Sequence, residues 1–192
     1  MAKKNIGAAT AVSPIPAFMV TCANKAGEAN IITISYGGII NANPPMVSIS
    51  VRDSRYSYPM LKETGEFVVN IPGENLAKET DICGIRSARN VNKWELAQLT
   101  PQPSSIVKAP MIKECPVNME CIVRHVVALG SHDIFLAEVV ATHIDEEILD
   151  DKDKVMIEKF KPFAFCYNSQ EYWTLDKLIG HYGWANKYLQ GK

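Results

Sequence analysis

The chain has 192 residues, 47% of them apolar, and a formal net charge of −1 from 20 basic and 21 acidic side chains. That apolar share suits one domain with a buried core and argues against disorder, while the missing basic surplus argues against a nucleic-acid partner. No stretch is apolar for long enough to cross a bilayer, and the basic residues 1–5 run into a segment too mixed for a signal-peptide core, so a cytoplasmic protein without a membrane partner is expected.

The five cysteines (Cys22, Cys83, Cys115, Cys121, Cys166) are odd in number and widely spread, with no CxxC pair. They read as buried free thiols, and no metal site is expected. In chain order, residues 29–36 read as a strand that runs into a glycine turn at Gly37-Gly38. Residues 46–52 alternate, placing Val47, Ile49 and Val51 on one face and Ser48, Ser50 and Arg52 on the other. Ser57 is placed to cap a helix over 57–64, with Pro59 tolerated in its first turn and Gly65 ending it. A strand over 66–71 follows, then short helices over 74–83 and 92–99 and an extended surface loop over 100–105. Residues 117–129 and 132–146 form a long hairpin about Gly130-Ser131, and 163–167 form a last apolar run. Many strands with a few short peripheral helices make the fold class mainly β, a closed or partly open barrel. With no repeat and no linker, 1–192 reads as a single domain.

The familiar nucleotide loops and catalytic motifs are absent, so a cofactor is the expected source of any reactivity. Three local features stand out. Arg52-Asp53-Ser54-Arg55-Tyr56-Ser57 leaves a strand and enters a helix, where two guanidiniums and hydroxyls converge on free amide groups. This suits an anion such as phosphate; a solvated turn with capping serines explains it as well. Asn30-Ile31-Ile32-Thr33-Ile34-Ser35 sets small polar groups on an apolar strand, which suits the polar edge of a flat ligand or an ordinary strand. Gly130-Ser131-His132-Asp133 reads first as an exposed hairpin tip and second as a catalytic one. Cys121 and His125 share a strand face but lack the further ligands a metal needs.

The ordered set Gly-Glu-Ala-Asn-Ile-Ile-Thr-Ile-Ser (27–35), Asn-Pro-Pro-Met-Val-Ser-Ile-Ser-Val-Arg (43–52), Ser-Arg-Tyr-Ser (54–57), Thr-Gly-Glu-Phe-Val-Val-Asn-Ile-Pro (64–72), Asn-Lys-Trp (92–94), Ala-Pro-Met-Ile (109–112), Glu-Cys (120–121) and Gly-Ser-His-Asp-Ile-Phe-Leu-Ala-Glu-Val (130–139) resembles the flavin reductase-like family, and within it the flavoredoxin branch. The resemblance spans residues 10–184. It implies a flavin mononucleotide (FMN)-binding split barrel, a homodimer with FMN near the interface, and a C-terminal extension around 168–192 packed on the barrel or the partner. It sets Thr33, Ile34 and Ser35 along the isoalloxazine edge, and Ser50, Val51 and Arg52 along the ribityl chain and phosphate. Ser54, Arg55 and Ser57 complete the phosphate site, Lys93 stands near the phosphate, and Asn41 and Trp94 are further cofactor contacts. His132 matches the histidine of the family's Gly-Asp-His hairpin on the nicotinamide side and is the catalytic candidate, although this chain has serine in place of that first aspartate. The implied activity is electron transfer from NAD(P)H or a protein donor through FMN to a small-molecule or protein acceptor. The alternatives are a ferric-complex reductase, a non-catalytic FMN-binding or storage module, and a barrel that serves only as an interaction protein.

Overall fold

The protein is described here by a computed structural model covering residues 1–188. In chain order its elements are β1 (Ile15–Pro16), β2 (Phe18–Ala23), β3 (Ala29–Ile34), β4 (Gly37–Ala42), β5 (Pro45–Val51), α1 (Ser57–Thr64), β6 (Glu66–Ile71), α2 (Ala77–Ile85), α3 (Lys93–Leu96), β7 (Pro101–Gln102), β8 (Met111–Ile112), β9 (Val117–Ala128), β10 (Asp133–Ile144), α4 (Ile157–Phe160), β11 (Phe163–Cys166) and β12 (Glu171–Thr174).

Seven strands form one antiparallel sheet in the order β3-β2-β6-β9-β10-β5-β4. Its outermost strands, β3 and β4, are consecutive in sequence with only Ser35 and Tyr36 between them. The three Cα–Cα steps from Ile34 to Gly37 reach at most roughly 11 Å, whereas a flat sheet would hold its edges several strand spacings of roughly 4.8 Å apart. The sheet therefore curls until its edges meet at this corner, where the Ser50 amide donates to the Tyr36 carbonyl at 2.8 Å. The result is the mainly β split barrel with short peripheral helices that the sequence led us to expect.

The corner also corrects the reading of Gly37-Gly38 as a turn, because both glycines open β4. A Cβ on Gly37 would lie 2.5 Å from the Ser48 carbonyl oxygen and 2.8 Å from the Phe18 ring. Glycine is thus required by the approach of β2 and β5 at the seam.

Alternation along the strands fills the barrel. Val47, Ile49 and Val51 from β5 pack with Phe67, Val69, Phe135, Val20 and Ile34, and α1 adds Met60 and Leu61. Burying one such side chain is worth about 1.5–3 kcal/mol. Gly65, at φ 65°, ends α1 and donates to Leu61 O. No strand was expected at Phe18–Ala23, where every residue is buried. Its second face meets an outer layer of Ile31, Leu76, Cys83, Leu99, Ile112 and Cys115, so the alternation that marks a half-buried strand is erased. The expected helix over 74–83 begins as a 3-10 turn at Glu74–Leu76 before α2, the one over 92–99 shrinks to α3, and the loop over 100–105 contains β7. All five cysteines are free, and four are buried.

At the C-terminal end β11 pairs with β1 and β12. Tyr172 packs its ring on Phe163 and Phe165 and donates to Asp81 Oδ1 of α2 at 3.1 Å. The first part of the expected extension thus folds onto its own chain. Farther along, Leu175, Leu178, Ile179 and Tyr182 are exposed. Residues 189–192 of that extension lie outside the described residues.

Candidate functional site

The barrel seam places three separate stretches around one cleft of about 210 Å³. The corner supplies Ile32, Thr33, Ile34, Ser35 and Tyr36, the exit of β5 supplies Ser50, Val51, Arg52 and Arg55, and the tip of the β9–β10 hairpin supplies His132, with Tyr167 completing the wall. Of the sequence-derived candidates, Thr33, Ile34, Ser35, Ser50, Val51, Arg52, Arg55 and His132 line this space.

The hairpin tip is carried to the cleft by local chemistry. Gly130 takes a φ of 92° at the first turn position, which glycine accepts without a Cβ clash, and the Leu129 amide donates to His132 O at 3.0 Å. Tyr58 of α1 then donates to Asp133 Oδ2 at 2.6 Å, tying helix and hairpin together. Arg52 Nε donates to His132 Nε2 at 3.3 Å across the mouth of the cleft. Burial, followed by the charges of Arg52 and Arg55, holds the His132 imidazole below its ordinary pKa and favours its neutral form.

One wall of the cleft is aromatic. The His132 ring lies 5.4 Å from that of Tyr36, which lies 5.5 Å from that of Tyr167. A hydrogen bond to Tyr167 raises the pKa of the Tyr36 hydroxyl. The rest of the lining is mostly polar. Among the described residues neither Arg52 nor Arg55 has a carboxylate partner, and the Ser35 and Ser50 hydroxyls make no hydrogen bond. An aromatic wall, open hydroxyls and two uncompensated guanidiniums fit a flat ligand that carries an anionic group.

Other candidates lie elsewhere. Ser57 does not cap α1: Tyr56 occupies that position, while the Ser57 hydroxyl is buried and accepts from Asn30 Nδ2 at 2.7 Å. Ser54 is exposed, and its carbonyl accepts from Arg89 at 3.0 Å. Lys93 sits behind β3, donating from Nζ to Cys83 O at 2.7 Å and Ile31 O at 2.8 Å. Burial, partly offset by Cys83, lowers its pKa to about 8. Trp94 donates from Nε1 to Ala29 O at 3.2 Å and packs on the outer layer. Asn41 bonds Pro44 O at 2.8 Å and lines a separate groove with Ile39, Met46, Val47 and Val139. Tyr36 and Tyr167 were missed by sequence reasoning. Each is the last residue of a run read from the sequence, 29–36 and 163–167, and that position at a strand end was the signal available.

A second polar cluster lies on the outer side of β9. Glu120 is wholly buried. Its Oε1 accepts from the Ser105 amide at 2.8 Å, the Ser105 hydroxyl at 2.6 Å and His143 Nε2 at 2.7 Å, and its Oε2 accepts from the amides of Ile106 at 2.7 Å and Val107 at 2.9 Å. Burial pushes the carboxyl up, but these donors outweigh it and hold the pKa at about 2. Among the described residues no group of three or more His, Cys, Asp or Glu is arranged to hold a metal.

A profile of the flavin reductase like domain matches residues 12–171. The chain belongs to the flavin reductase-like family. An uncharacterized protein of Aquifex aeolicus (strain VF5) is 36% identical over 159 residues, covering 80% of this chain and 81% of that one. Among solved structures, the flavoredoxin of Desulfovibrio vulgaris (Miyazaki F) superposes with a TM-score of 0.90 at 30% identity, covering 96% of this chain and all of that one. Flavoredoxin from Methanosarcina acetivorans gives a TM-score of 0.89 at 30% identity, covering 98% of this chain and all of that one. This flavin reductase-like chain therefore stands near the flavoredoxins in both sequence and fold. Among its described residues no helix is long and apolar enough to cross a membrane.

Proposed function

We propose that this flavin reductase-like protein binds FMN in the seam cleft and carries electrons through it from NAD(P)H or a reduced protein to an acceptor. The carrying observation is the pair Arg52 and Arg55, two guanidiniums that line one cleft with no carboxylate partner among the described residues. A phosphate monoester supplies the missing charge and can take bidentate hydrogen bonds from both. Bound FMN supplies hydride and single-electron chemistry. The chain's own part is binding and shielding. Arg52 and Arg55 hold the phosphate, with the Ser50 hydroxyl beside the ribityl chain. The Thr33–Ser35 segment borders the ring edge, and Tyr36 with Tyr167 keeps water off one side. The Thr33 hydroxyl is already spent on Thr80 O, so Thr33 acts through its backbone and methyl.

A cleft of about 210 Å³ is smaller than the ~300–1,000 Å³ usual for ligand pockets. This favours a homodimer in which a second copy completes the enclosure, as do the exposed Ile39, Leu178 and Ile179. The working compartment we propose is the cytoplasm.

Anaerobic rapid mixing of the FMN-loaded protein with NADH, NADPH and reduced ferredoxin tests the reading, because loss of flavin absorbance reports which donor works. Re-oxidation by a flavin, a protein acceptor or a ferric chelate then identifies the acceptor. Binding of FMN without reduction by any donor means a storage module. No uptake of FMN leaves a barrel that serves only protein interaction.

A further inference from the structure

Arg52 and His132 lie 80 positions apart in sequence and meet at the mouth of the cleft, Arg52 Nε donating to His132 Nε2 at 3.3 Å. A guanidinium offers no acceptor, so His132 Nε2 must present its lone pair. The ring proton of the neutral imidazole then belongs on Nδ1, which stands 2.9 Å from the Ser131 hydroxyl, an acceptor for that N–H. Both ring nitrogens are engaged in this tautomer, the one less populated by a free histidine side chain.

The groups around the ring support the same assignment. The charges acting on it are Arg52 and Arg55, from the exit of β5. Tyr36 faces it from the β3–β4 corner. The nearest acid in sequence, Asp133, accepts from the Tyr58 hydroxyl at 2.6 Å and makes no hydrogen bond to the ring, whose hydrogen-bond partners among the described residues are Arg52 and Ser131.

We infer that His132 is a positioning residue, an unprotonated imidazole that pins the Arg52 guanidinium over the cleft with Ser131 fixing its tautomer, and that it is not a proton donor. The inference deepens the proposed FMN site, since the pinned guanidinium is one of the two assigned to the phosphate. It also gives Ser131 a role. A carboxylate in place of that hydroxyl, against Nδ1, would stabilise the doubly protonated ring, to which Arg52 Nε cannot donate.

Two measurements on the full chain test it. Long-range nitrogen-15 NMR of the imidazole side chains at pH 7, without flavin, should show His132 as the Nδ1–H tautomer and should show that signature lost in Arg52→Ala. An Nε2–H tautomer, or an imidazolium, in the wild type overturns the inference whatever the protein binds. Flavin titration then reads the consequence. His132→Ala should weaken FMN about tenfold more than it weakens riboflavin, with Arg52→Ala/His132→Ala no weaker for FMN relative to riboflavin than Arg52→Ala alone. His132→Gln, whose amide oxygen accepts from Arg52 Nε, should restore FMN affinity and leave the pH profile of flavin reduction as in the wild type. An additive double variant, or failure of His132→Gln to rescue, contradicts the positioning role. A wild type with the Nδ1–H tautomer that binds no FMN sinks the FMN reading alone.

Discussion

The β9–β10 hairpin carries one polar cluster on the outside of the barrel and helps build another at its seam, and the two are opposites. Around Glu120, a buried carboxylate meets donors from Ser105, Ile106, Val107 and His143, and each oxygen is satisfied by its own chain. Around Arg52, two guanidiniums and two serine hydroxyls point into a shared space with no carboxylate to meet them among the described residues. A Ser, a His and a Glu come together in the first cluster as they do in some hydrolases. There, however, Ser105 donates to Glu120, and His143 turns one nitrogen to the carboxylate instead of relaying between the two. Residue types alone do not separate a structural cluster from a working one. What separates them is whether the hydrogen-bond account closes within the chain.

That contrast can be broken or sharpened by substitution. The largest effect is expected for Glu120→Gln, which turns an amide N–H toward donors that need an acceptor. Unfolding stability should fall by about 3 kcal/mol, measured by urea denaturation, with flavin affinity unchanged once folded. The pH dependence follows from the same carboxyl. Its folded pKa of about 2 lies below the ordinary 4.5, so between these values the unfolded chain binds the proton first. The stabilisation is complete above pH 4.5, is lost as pH falls toward 2, and should vanish from the acid limb of Glu120→Gln.

Arg52→Ala/Arg55→Ala should do the reverse, leaving stability within about 0.5 kcal/mol while weakening FMN about a hundredfold in a fluorescence titration. Loss of folding instead would move the seam arginines into the structural class. Smaller effects are expected for Tyr36→Ala and Tyr167→Ala, each weakening FMN and riboflavin alike by about tenfold, because they remove ring contact and not charge. The smallest is expected from salt. Raising it to ~1 M should weaken FMN several-fold and riboflavin not at all, with little change in the stability that Glu120 confers.

Much of the barrel was legible in the sequence because most strands are buried on one face. Val47, Ile49 and Val51 alternate, and the Gly130-Ser131 turn joins two long runs. β2 escaped because a layer covers each of its faces, and β4 escaped because Gly37 serves a seam that exists only after the sheet has closed. The guanidiniums of the site were legible as a convergence of charge at Arg52 and Arg55. Ser57 misled because a serine at the start of a helix is ordinarily a cap, and here Asn30 claims its hydroxyl in the interior. His132, 80 residues from Arg52, could be listed as a candidate but not joined to it, since that contact depends on the pairing of β10 with β5.

The central claim is that two arginines in the seam receive a phosphate. It is tested most directly by comparing the affinities of the wild-type protein for FMN and riboflavin, which differ only by that group. A preference for FMN of about a hundredfold, abolished in Arg52→Ala/Arg55→Ala, is the predicted result. Equal binding of the two flavins by the wild type, or a preference that survives removal of both guanidiniums, would contradict it.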